Sequence, residues 1–161
     1  MNRRHLLTHA CVLLSLAPLA SQAQTQSPAR PRLEVWKTAS CGCCKDWVKH
    51  VQAAGFEVKA HDVSDDAKRQ KRQQLGLPEA FGSCHTAVVD GYVVEGHVPA
   101  REISRLLKER PQAVGLTVPG MPVGSPGMEV PGQAPDTYDV LAFDARGGRS
   151  VFMRFRGGTP V

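Results

Sequence analysis

From residue 33 onward the hydrophobic positions recur with two periods, and these divide the chain into strands and helices. Residues 33–38 carry Val35 and Trp36 and suit a buried strand. Ser40 can cap a helix that begins inside Cys41-Gly42-Cys43-Cys44, because Trp47, Val48, Val51 and Ala54 then fall at helical spacing until Gly55 stops it. Residues 56–63 read as a second strand. Ser64 caps a short charged helix that runs to about Leu75 and is closed by Gly76 and Pro78. Two β-rich pieces, 86–90 and 92–95, turn at Asp90-Gly91, a strong hairpin signal. Pro99 then opens a helix whose Ile103, Leu106 and Leu107 form one apolar stripe.

A helical crossover between the first two strands makes them parallel, and the hairpin extends the same sheet. The fold class expected is α/β, a mixed sheet with flanking helices. Its element order, with a cysteine motif at the start of the first helix, resembles the thioredoxin fold. Residues 115–137 break the pattern: ten of the 23 are Gly or Pro, and Pro-Gly-Met occurs at 119–121 and again at 126–128. Loops of that length are functional or disordered as a rule. Beyond them, residues 138–143 and 150–155 flank Arg146-Gly147-Gly148 as a second hairpin, expected to pack on the core through Val140, Phe143, Val151 and Phe155. The organisation is a flexible lead-in over 24–32 and one domain over 33–156, with 115–137 as its Gly/Pro-rich loop and 138–156 as a hairpin extension.

At 161 residues the chain has room for one hydrophobic core, and 42% apolar with 22% charged residues excludes wholesale disorder, collagen and multi-pass membrane architectures. Residues 1–23 change the arithmetic. Arg3 and Arg4, a mostly apolar run over 6–20 and the small residues of Ser21-Gln22-Ala23 read as a secretory signal cut before Gln24, so an exported product is expected. The run is shorter than the ~20 residues that span a bilayer, so no stable membrane association is expected after cleavage. Two arginines leave the Sec and twin-arginine routes both open. Cleavage removes Arg3, Arg4 and Cys11, which turns five cysteines into four and leaves 18 basic against 15 acidic residues, a net of +3 instead of +5. That charge does not call for nucleic acid, and the basic cluster Lys68-Arg69-Gln70-Lys71-Arg72 reads as a solvated helix face.

Cys41-Gly42-Cys43-Cys44 places three thiols in four residues at a helix start, where free N–H groups and the helix dipole favour thiolate. Three readings compete. A structural disulfide framework suits an exported protein, but a bridge between adjacent Cys43 and Cys44 is strained, and short loops within 41–44 constrain the unfolded chain little. A thiol–disulfide oxidoreductase needs only Cys41 as nucleophile and Cys44 as resolver, in C-x-x-C spacing. Thioredoxin-like enzymes carry a cis-proline just before the third strand. Here Phe81-Gly82-Ser83-Cys84-His85-Thr86 has no proline and sets a fourth thiol, Cys84, opposite the other three. In the third reading, Cys41, Cys43, Cys44 and Cys84 form a soft ligand set for Cu(I), Zn(II) or an iron–sulfur cluster. Adjacent Cys43 and Cys44 are expected to diverge, which disfavours one tetrahedral zinc ion and favours bridging thiolates in a multinuclear Cu(I) cluster.

Around this set, Met121 and Met128 offer thioether sulfur, weighed against a role as lid residues packing on the sheet. His85 abuts Cys84 and His97 precedes the third helix; either could ligate, hydrogen-bond a ligand or be a satisfied turn residue. His50 and His61 read as surface residues.

Cys41-Gly42-Cys43-Cys44 with Trp47, the run 84–92, the run 95–100 and the run 118–129 together closely resemble the CopG-like periplasmic copper-resistance proteins, often described only as a domain of unknown function. The likeness spans about residues 33–155. It implies a thioredoxin-like fold holding a multinuclear copper–thiolate cluster on Cys41, Cys43, Cys44 and Cys84, with a role in handling copper or interconverting Cu(I) and Cu(II). His85, His97, Met121 and Met128 fall within the family motifs without an assigned role. The implied partners are copper ions and other periplasmic copper-handling proteins. The alternatives are the Cys41/Cys44 oxidoreductase and a small structural zinc protein.

Overall fold

Alternation at Leu33 and Val35 produces a strand, β1 (Arg32–Lys37), whose two apolar side chains are fully buried. The computed structural model describes residues 30–161; the expected signal at 1–23 and most of the lead-in lie outside the described residues. After β1 come α1 (Gly42–Ala53), β2 (Glu57–Asp62), α2 (Asp65–Gln74), a 3-10 turn (Glu79–Phe81), β3 (Thr86–Val89), β4 (Tyr92–Glu95) and α3 (Ala100–Glu109). The chain closes with β5 (Gly115–Thr117), β6 (Thr137–Phe143), β7 (Arg149–Arg156) and β8 (Thr159–Pro160).

The strands form one sheet in the order β2-β1-β3-β4-β5-β6-β7-β8. β1 and β2 are parallel across α1, β3 runs antiparallel to β1, and β3 and β4 make the hairpin. Asp90 and Gly91 both have positive φ, 47° and 85°, which matches the right-handed twist of the flanking strands. This is the thioredoxin-like arrangement that the element order implied. Ser64 caps α2 as its sequence requires, its Oγ accepting the Ala67 N–H at 3.2 Å. Ser40 does not cap α1. It sits inside a turn closed by Cys41 N–H on the Thr38 carbonyl at 3.2 Å, so Cys41 becomes the N-cap residue.

α1 and α3 cover one face of the sheet, where Trp47, Val51, Ile103 and Leu106 pack with Leu33, Val35, Val94 and Leu116 in one cluster. Each fully buried aliphatic side chain of this kind contributes about 1.5–3 kcal/mol. α2 and the 3-10 turn lie on the other face, with a smaller cluster of Leu77, Phe81, Val93 and Phe143.

Two features depart from the pattern along the chain. The first three residues of 115–137 form β5, which pairs parallel with β4 and antiparallel with β6, so the C-terminal hairpin continues the sheet edge to edge. Val140, Phe143 and Phe155 are buried as expected, but Val151 is 55% exposed. A register shift in the β6–β7 pairing, between Val140 and Leu141, leaves Phe152 unpaired. Phe152 and Met153 then both pack against the main cluster, Phe152 beneath Arg105 of α3, and Val151 turns to the open face.

Candidate metal centre

The Thr38–Cys41 turn ends β1 and aims three sulfurs at the N-terminus of α1, while the segment before β3 brings Cys84 to the same place. The Sγ atoms of Cys41, Cys43, Cys44 and Cys84 all lie within 4.8 Å of one another. Cys41 and Cys44 are joined as a disulfide with Cα atoms 5.4 Å apart. Cys43 and Cys84 are free thiols. Cys44 is fully buried and its Sγ sits 3.8 Å from the Cys84 carbonyl, whereas Cys41 is half-buried with its Sγ 3.5 Å from that of Cys43. Cys43 and Cys44 converge to the same distance limit as the others, so the divergence expected of adjacent side chains is not seen here.

Cys84 also belongs to a second convergent group with His85 and His97. Its Sγ lies 2.9 Å from His97 Nε2 and 3.4 Å from His85 Nδ1. His97 Nδ1 stands 2.8 Å from the Pro126 carbonyl, which can only accept, so Nδ1 carries the proton and Nε2 faces the thiol as a bare acceptor. Burial lowers the pKa of His97 against the raising influence of Pro126 and Glu129. His85 is enclosed between Trp47 and His97, ring centroids 4.2 and 5.1 Å away, and burial pushes its pKa well below the ordinary range. Its Nε2 has no hydrogen-bond partner among the described residues, a cost of about 1–3 kcal/mol that a ligand would relieve. The Cys84 thiol is pushed up to about 12, first by burial and then by Cys43. With the Cys41–Cys44 disulfide reduced, four sulfurs and two neutral imidazoles fit a soft metal ion.

Two solved structures, described as copper resistance protein CopG in forms 1 and 2, are each 46% identical to the chain. The first covers 80% of this chain and 100% of its own at a TM-score of 0.73; the second covers 79% and 99% at 0.72. The chain belongs to the CopG-like copper-resistance family. A family model described as a protein of unknown function, DUF411, matches residues 81–128, and no curated protein matches.

In this CopG-like chain the sulfur site has a polar backing that the sequence concealed. Lys68 is 8% exposed, and its Nζ donates to the Cys84 carbonyl at 3.0 Å and pairs with Asp65 at 3.0 Å. Arg72 pairs with fully buried Glu95 at 2.9 Å, and donates to Thr86 Oγ1 at 3.3 Å and to the Ser83 carbonyl. Glu95 in turn accepts the Ser83 N–H at 2.5 Å and the Thr86 hydroxyl at 2.6 Å. Lys71 lies 4.0 Å over the Trp36 ring. The basic cluster of α2 is therefore not a solvated face: three of its four cations pack on the sheet, because carbonyls, a carboxylate and an indole there satisfy them.

The Gly/Pro-rich loop closes over the other side. A Cβ on Gly127 would come within 2.7 Å of the Cys43 carbonyl and the Trp47 nitrogen, so this loop rests directly on the first turn of α1. Met128 follows and is half-buried, but Met121 is 54% exposed and does not pack on the sheet as a lid residue. Nor is His50 a plain surface residue. Its Nε2 accepts the Ala100 N–H at 3.0 Å and caps α3, a partner fifty residues away. His61 is half-buried and stacks on Trp36 at 5.2 Å.

Proposed function

We propose that this protein binds Cu(I) in the periplasm on a multinuclear cluster of Cys41, Cys43, Cys44 and Cys84 thiolates, and that it serves copper resistance by sequestering the ion or interconverting Cu(I) and Cu(II). The observation that carries the reading is the convergence of four sulfurs within 4.8 Å. Family membership supports copper as the cargo. Export is supported by the signal-like residues 1–23. Bridging suits Cu(I), whose single charge balances thiolates nearly one for one. His85 and His97 stand ready as auxiliary ligands, and Met121 and Met128 enter the same loop that shields the sulfurs.

A second reading is favoured by the Cys41–Cys44 disulfide: thiol–disulfide exchange with half-buried Cys41 as nucleophile and buried Cys44 as resolver. Copper titration of the reduced protein with X-ray absorption, repeated on Cys84→Ser, separates the two. The copper reading expects a short Cu–Cu vector in the wild type and less copper per chain in the variant. Unchanged copper with collapsed disulfide exchange would sink it. Metal analysis of protein purified without added metal exposes a zinc site by the same measurement.

A further inference from the structure

Resting on the copper reading, we infer that Lys68 is the buried counter-charge of the sulfur site, a positioning residue that raises metal affinity through its charge and not only through the hydrogen bond it makes. A buried lysine is costly unless paired, and this one is paired less completely than its neighbour Arg72. Arg72, one helical turn on, is neutralised by a carboxylate that is itself completely buried, Glu95. The partner of Lys68 is Asp65, whose side chain is 74% exposed while the lysine's is 10% exposed. Solvent screens the carboxylate far more than the ammonium. The positive charge is therefore only partly compensated, and it sits 3.0 Å from the Cys84 carbonyl, beside the place where four thiolates would gather negative charge. α2 thus meets the site at the Cys84 carbonyl, while the covering loop rests on the first turn of α1.

The test separates charge from hydrogen bonding. Lys68→Arg keeps both, Lys68→Gln keeps a donor without the charge, and Lys68→Met keeps neither. Cu(I) affinity of each reduced protein is measured at fixed pH by competition with a chromophoric Cu(I) chelator, with copper per chain at saturation read alongside. The expected result is near wild-type affinity for Lys68→Arg and a loss of about tenfold or more for both Lys68→Gln and Lys68→Met, at unchanged copper per chain. A purely structural role predicts that Lys68→Gln binds like the wild type, and that result overturns the inference. A fall in copper per chain for Lys68→Gln that Lys68→Arg shares also overturns it, since the ligands would then be misplaced. A wild type that takes up no Cu(I) overturns the copper reading itself, and is told apart from the other outcomes because it needs no variant.

Discussion

His85 is uncharged in the folded protein, held so by burial against Trp47 and His97. Unfolding restores a pKa near 6.5. Between the lowered folded value and about 6.5 the unfolded chain binds a proton that the folded chain does not, so stability is complete above about pH 6.5 and is lost as pH falls. Metal-free protein should lose up to about 1.4 kcal/mol per pH unit from this residue alone below that point. His50 and His97 are shifted the same way and add to the slope. Urea unfolding from about pH 7.5 to about pH 5.5 should therefore show a shallower pH dependence in His85→Leu than in the wild type, with equal slopes counting against neutral burial. The proximity of His85 to Cys84 was legible in the sequence, but its orphaned Nε2 was not, because that depends on what encloses the ring.

At the scale of elements, local signals mostly read true where the partner lies close in sequence, the Ser40 cap displaced by the Thr38–Cys41 turn being the exception. Ser64 and Ala67, Asp90-Gly91 and the spacing of Trp47 and Val51 are all of that kind. The misread elements have distant partners. α2 looks solvated until Glu95 and the Ser83 and Cys84 carbonyls come to meet it, and β5 is three residues of a Gly/Pro-rich stretch, made a strand only by β4 and β6. The bulge in β7 inverts Val151 with no signal in the alternation. The covering loop offers a sharp test. Gly127 and Gly132 have nearly the same φ, 85° and 80°, but only Gly127 has backbone atoms in the space a Cβ would occupy. Gly132→Ala should cost about 1–2 kcal/mol from conformation alone, and Gly127→Ala more, with the loop lifted from α1. Thermal melts of the two variants decide it; equal losses would mean that the contact over Cys43 and Trp47 is unimportant.

For the whole molecule, the copper reading links metal and fold thermodynamically. Reduced protein loaded with Cu(I) should melt above the metal-free form, with about 2.7 kcal/mol of added stability at a free concentration one hundred times Kd. Protein oxidised at Cys41 and Cys44 beforehand should gain less, because disulfide sulfurs are not thiolate ligands. Scanning calorimetry of both forms checks this, and identical shifts would remove those two sulfurs from the ligand set.

Forty positions separate Cys44 from Cys84, and only the pairing of β1 with β3 brings them together. A newly made chain presents three thiols before the fourth exists beside them. The Cys41–Cys44 bond spans three positions, whereas Cys84 reaches either sulfur only when β1 and β3 have paired, so this disulfide asks nothing of the sheet. Strand pairing then delivers Cys84 as a free thiol to a site already assembled. On the copper reading, a two-electron reductant acting on that one local bond would turn the folded chain from a two-thiol into a four-thiol site.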